Sequence, residues 1–204
     1  MALSELTHDR AGSGTPVVLL HGVGHRRQAW EPLFERLAEQ YDVIAPDLAG
    51  FGDSAPYPKG VPYDMDNACA DLSANFAAWG CSKPHVVGNS LGGAIGLELG
   101  ARGLVASVTA LSPAGFFGQV DRYRALGLLS LLRSTSQLPD PALRTATHYP
   151  RIRRAIGSLL YAYPERMDAS TSFGDAVALR SAEAFWPTIR SGLRYTFRDD
   201  VDVP

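Results

Sequence analysis

The chain has 204 residues, 46% hydrophobic and 20% charged, with a formal net charge of -2. That length buries a sizeable core without disulfide or metal staples, and the composition excludes a disordered or collagen-like chain. The near-neutral balance gives no electrostatic ground for a nucleic-acid partner.

The elements are read in chain order. Leu3 to Arg10 predicts an antiparallel edge strand, turned through Gly12-Ser13-Gly14 into a hairpin. Val17-Val18-Leu19-Leu20, Val43-Ile44-Ala45, His85-Val86-Val87 and Leu104 to Leu111 are short continuous apolar runs. Such runs suit strands covered on both faces, as in a parallel sheet. Between them, Trp30 to Gln40 and Asp64 to Trp79 carry apolar residues at helical spacing, and Leu91 to Ala101 forms a third helix. The alternation predicts an α/β fold. From Phe116 to about Arg198 the pattern is helical, Leu- and Arg-rich, and broken by prolines such as Pro139, Pro150 and Pro164. The expected organisation is an α/β core over 1–115, a helical insert over 116–198, and a return to the core over 199–204.

Cys69 and Cys81 are the only thiols and read as small buried hydrophobes. The N-terminus MALSELTHDR lacks the basic start and apolar run of a secretory signal, and no stretch of about 18 apolar residues occurs. A soluble cytoplasmic protein with no membrane partner is expected.

Chemistry concentrates in Gly88-Asn89-Ser90-Leu91-Gly92-Gly93, which follows the strand HVV and opens a helix. This is the G-x-S-x-G elbow in its proper context. A serine at so sharp a turn is strained, and Gly88 and Gly92 remove clashes around it. Its hydroxyl stands at the positive end of the helix, with the Leu91 N–H free for a developing oxyanion. Gly92, Gly96 and Gly100 share one helix face, which predicts close approach to the sheet. His21-Gly22-Val23-Gly24 follows the strand VVLL, and the Val23 N–H is the expected second oxyanion donor. His21 reads as a structural loop histidine, and Asp47, after VIAP, as a loop-fixing acceptor.

The motifs VVLLHGVG, DVIAPDLAGFGDS and HVVGNSLGGAIGLELG, in this order and spacing, resemble the α/β-hydrolase superfamily, in its capped, esterase-like and C–C-hydrolase-like branch. The resemblance covers residues 1 to about 115 and implies a mostly parallel sheet with a helical cap. It implies Ser90 as nucleophile, Val23 and Leu91 as oxyanion hole, and His21, Gly22, Gly24, Gly88, Asn89 and Gly92 as loop and elbow support. It implies a small-molecule carbonyl substrate, no metal and no organic cofactor. Serine at the elbow argues against the dehalogenase and epoxide-hydrolase branches, which place aspartate there. Asn89 beside Ser90 raises C–C-bond hydrolysis as a narrower alternative.

The serine needs a base and an orienting acid, in chain order Ser, acid, His. Only His148 follows Ser90, inside the predicted cap, and it reads as a surface or cap-packing residue. Asp121, Asp140 and Asp175 read as surface residues of the cap, and Asp199, Asp200 and Asp202 crowd the terminus. The expectation is that the chain stops before two further strands and helices, roughly 50 residues, that would supply acid and base. The strand ending at Leu111 would then be an exposed edge prone to self-association. The basic cluster Arg144, Arg151, Arg153 and Arg154 could steer an anionic substrate but reads rather as a solvated helix face. Leu126, Leu128, Leu129, Leu131 and Leu132 could line an apolar pocket or an interface but read rather as cap-to-core packing. Trp186, Tyr161 and Tyr163 have no assignable role. A non-catalytic protein on the same scaffold is the competing reading.

Overall fold

The computed structural model describes residues 2–158, 160–198 and 202–204. Five strands, β1 (His8–Ala11), β2 (Pro16–Leu20), β3 (Asp42–Pro46), β4 (His85–Asn89) and β5 (Ser107–Leu111), form one sheet in the order β1-β3-β2-β4-β5. β2 pairs in parallel with β3 and β4, and β4 with β5. The continuous apolar runs follow from burial on both sides. Val17, Leu19, Val43 and Ala45 meet Trp30, Phe34 and Leu37 on one face. Val18, Leu20, Ile44 and Val86 meet Leu72, Phe76, Ile95 and Leu99 on the other. The first face is covered by α1 (Glu31–Ala38), and the second by α2 (Met65–Ala78) and α3 (Leu91–Ala101).

The expected β1–β2 hairpin does not form. β1 is antiparallel as predicted, but its partner is β3, with His8 opposite Pro46 and Ala11 opposite Val43. β2 gives both of its edges to parallel neighbours, so no edge is left for β1. Gly12, at φ +85°, lets the chain pass against the carbonyls of Ala38 and Tyr41, where any side chain would collide.

Beyond β5 come α4 (Gln119–Thr135), α5 (Asp140–His148), α6 (Pro150–Gly157), α7 (Ala169–Ser181) and α8 (Phe185–Gly192), with no strand among the described residues of this stretch. The basic cluster is not uniformly solvated. Arg144 lies over the Phe173 ring at 3.9 Å. Arg153 donates to the carbonyls of Thr147, His148, Pro164 and Glu165, tying α5, α6 and the turn after them together. A guanidinium with five donors suits such a bundle of orphan helix-end carbonyls. The outer edge of β5 is not bare: Val108 N–H donates to Pro204 C=O at 2.9 Å. Both cysteines are free and buried, and burial pushes the Cys69 thiol up to about 12. No helix among the described residues is long and apolar enough to cross a membrane.

The glycine face of α3 lies on the sheet. A Cβ on Gly92 would collide with the Leu20 carbonyl, and one on Gly96 would stand 3.2 Å from Val86 and Val108. Gly127, in α4, has open space around it. Urea unfolding should therefore separate the two positions. Gly92→Ala should lose about 1–3 kcal/mol through backbone overpacking, whereas Gly127→Ala should gain about 0.5–1 kcal/mol of helix propensity.

Candidate active site

The sheet order reverses at β2, which has β3 on one side and β4 on the other. Loops leaving the carboxyl ends of strands diverge at such a point and open a crevice. Leu20 pairs with Gly88, so the segments that follow, 21–24 and 89–91, meet there. A Cβ on Gly22 would stand 3.2 Å from Asn89 Oδ1 and 3.4 Å from Ser90 Cβ.

Ser90 has φ +52° and ψ -109°, a conformation that L residues rarely adopt. Its backbone is fixed on both sides. The N–H donates to Leu111 C=O at 3.0 Å, and the C=O accepts from Ala94 N–H at 3.0 Å and Ala114 N–H at 3.1 Å. The end of β5 thus clamps the elbow. Gly88 and Gly92 are required, because a Cβ on the former would collide with the Gly92 carbonyl. Among the described residues, neither the Val23 nor the Leu91 N–H has a hydrogen-bond acceptor, and the Ser90 hydroxyl has no partner. Ser90, Val23 and Leu91 all line one cavity of about 300 Å³.

The two loop-fixing residues are fully buried. Asp47 accepts from Arg27 N–H, the Arg27 guanidinium and Asp53 N–H, as a loop-fixing acceptor should. His21 has both ring nitrogens in use. Nε2 accepts from Leu48 N–H at 2.9 Å, which leaves the proton on Nδ1 to donate to Gly22 C=O at 2.8 Å. Burial lowers His21 to about 4. A neutral imidazole with no free nitrogen is a strut for the loop.

The cavity walls are mostly apolar: Phe51, Ile95, Leu126, Leu128, Leu129 and Ile189 among them. The leucines of α4 therefore divide. Leu126, Leu128 and Leu129 face the cavity, Leu132 is buried and Leu131 is 59% exposed. Packing alone does not describe them. Asp71 also lines the cavity, where its carboxylate accepts from Leu3 and Ser4 N–H while burial pushes it up.

No histidine among the described residues lines this cavity. His148 ends α5, exposed, with its ring edge-on to Tyr149. Asp121 pairs with Arg124, and Asp140 with Arg180. Asp175 is not the surface residue expected: it is largely buried and pairs with Arg26 at 3.2 Å. Asp202 is exposed, and Asp199 and Asp200 lie outside the described residues. Sequence reasoning passed over His25, which Asp175 also approaches at 3.8 Å. Its place directly after His21-Gly22-Val23-Gly24 was the available signal.

A strand-to-helix serine elbow at the switch point of a mostly parallel sheet defines a hydrolase-type scaffold. The model of the Alpha/beta hydrolase family matches residues 17–204, and the chain belongs to that family. It is 40% identical over 85 residues to a soluble epoxide hydrolase of Corynebacterium sp., covering 42% of this chain and 29% of that protein. It is 38% identical over 98 residues to a 2-hydroxy-6-oxo-2,4-heptadienoate hydrolase of Pseudomonas putida, covering 47% and 35%. The matches thus span about a third of these curated relatives. Among solved structures, the esterase RhEst1 from Rhodococcus sp. ECU1013 superposes with TM-score 0.70 at 25% identity, covering 98% of this chain and 74% of that one. E-2-(Acetamidomethylene)succinate hydrolase superposes with TM-score 0.71 at 23% identity, covering 94% and 70%.

His21 makes stability pH-dependent. Its pKa is lower folded than unfolded, so the unfolded chain binds the extra proton. The stabilisation is full above about pH 6.5, falls as pH drops, and levels off near pH 4, for a total on the order of 3 kcal/mol. In urea titrations His21→Gln, which does not titrate, should be less stable than wild type at pH 7, with the gap narrowing towards pH 4.

Proposed function

We propose that this chain carries the nucleophile and oxyanion hole of a serine hydrolase acting on an ester or related carbonyl substrate. One observation carries the reading: Ser90, held at positive φ, shares a cavity with two amide N–H groups that have no acceptor in the described residues. Ser90 Oγ attacks the carbonyl carbon, and the Val23 and Leu91 N–H groups receive the charge that develops on oxygen. The Ser90 hydroxyl proton passes to the leaving oxygen, which departs as an alcohol to give an acyl-enzyme; water then attacks the acyl carbon, and one of its protons returns to Ser90 as the acid is released. The apolar walls suit a substrate with a hydrophobic body, and the helices of 116–198 act as a cap that shapes its pocket. The similarity to a heptadienoate hydrolase favours C–C cleavage of a diketone as the variant chemistry. Comparing aryl esters with vinylogous diketones as substrates separates the two.

A second reading, a non-catalytic protein on a hydrolase scaffold, is favoured by the absence of a histidine, among the described residues, from the lining of the Ser90 cavity. A fluorophosphonate probe distinguishes them. The enzyme reading expects stoichiometric modification at Ser90, found by peptide mass spectrometry and abolished in Ser90→Ala. Folded protein that stays unlabelled under conditions that modify a known serine hydrolase supports the scaffold reading.

A further inference from the structure

The loop carrying Val23 is tied to the helical segment by a polar cluster outside the cavity of Ser90. Arg26 N–H donates to His25 Nδ1 at 3.0 Å, so the imidazole proton sits on Nε2. Nε2 then donates to the Tyr161 hydroxyl at 2.9 Å. The Asp175 carboxylate stands 3.8 Å from the same Nε2, and burial together with its charge pushes Tyr161 far above its ordinary value. Asp175 in turn takes the Arg26 guanidinium. The four residues form a ring of contacts in which Arg26 donates both ways, from its N–H to His25 and from its guanidinium to Asp175, while His25 passes a donor on to Tyr161 and Asp175 only accepts. His25 and Arg26 belong to the loop after β2, Asp175 to α7, and Tyr161 to the chain after α6.

The ring borders a second, apolar cavity of about 160 Å³, which shares Val23, Leu129 and Leu160 with the first. Val23 thus stands between two hollow spaces, partly buried and packed against the core on its inner side. Gly24, at φ +74°, passes so close under α7 that a Cβ would collide with Leu179. Two residues beyond Val23 the ring begins.

We propose that His25, Tyr161 and Asp175 are positioning residues that hold the Val23 N–H in register with Ser90, so that the oxyanion hole is assembled only while α7 and the Tyr161 segment are seated on the loop. The proposal rests on the nucleophile reading above. It assigns these residues no contact with substrate.

The test follows Tyr161→Phe, Asp175→Asn, His25→Ala and His25→Gln in the full chain. The last keeps a side-chain amide donor for Tyr161. Two readouts are taken. The first is the fluorophosphonate reaction at Ser90, resolved into reversible binding and the bond-forming rate. The second is hydrogen–deuterium exchange of the peptide spanning 21–27, at matched melting temperature. Tyr161→Phe and His25→Ala should slow bond formation about tenfold with reversible binding unchanged, and should speed exchange across 21–27. His25→Gln should recover most of both. Unaltered exchange and rate in Tyr161→Phe and His25→Ala would overturn the proposal. So would a loss of binding and rate together with global melting, or no recovery in His25→Gln. If wild type does not label at all, the nucleophile reading fails. The exchange arm still decides whether the ring orders the loop.

Discussion

The structure depends on how closely α3 lies against the sheet. Gly92, Gly96 and Gly100 are the contact surface, and the atoms they meet are Leu20, Val86, Val108 and Val203. Each glycine gives up about 1 kcal/mol of helix propensity. The return is geometric. With α3 drawn down on β2 and β4, the three residues from Gly88 to Ser90 must turn from strand to helix with no slack. Ser90 is forced to positive φ, and the hydrogen bonds to Leu111 and Ala114 keep it there. Strain of this kind persists only where the surroundings over-determine it, and here the helix, two strands and the β5 loop all do.

The loops around the elbow are fixed by buried titratable groups, handled in opposite ways. Asp47 is surrounded by the Arg27 guanidinium and two backbone N–H groups. A charge buried without such partners would be strongly destabilising. His21 is instead kept neutral by burial, with both nitrogens committed to backbone. Both solutions make the loop ends rigid without spending a group the chemistry could use.

Much of this was legible in the sequence because it is local. VVLL, VIA and HVV alternate with helical spacing, and their continuous apolar character already required cover on both faces. The elbow, its glycines and the roles of His21 and Asp47 all lie within short motifs. The failures are long-range. β1 carries no mark of whether it pairs with β2 or with β3, since either edge accepts an antiparallel strand. Asp175 looks like a surface residue in a helical segment until folding brings it 149 residues back to Arg26. His25 meets Tyr161 across 136 residues, and no spacing rule connects them. Arg153 failed for a different reason: a guanidinium in a basic run resembles its solvated neighbours, and only the helix-end carbonyls around it reveal its use.

The same division bears on function. The elbow is built from α3 and the sheet, whereas the pocket walls come from both the core and α4, with Phe51 and Ile95 facing Leu126, Leu128 and Leu129. A scaffold can therefore keep its nucleophile turn while the helices past β5 reshape what reaches it. Relatives at 40% and 38% identity carry the names of an epoxide hydrolase and a heptadienoate hydrolase, two different chemistries. Similarity of fold accordingly identifies where reaction occurs and leaves the substrate to the side chains of the pocket. Val23 belongs to the core loop by sequence and borders both cavities, where it meets Leu129 and Leu160 from the helical side. Under the function proposed above that wall residue is also the oxyanion donor, so pocket shape and catalytic geometry meet at Val23.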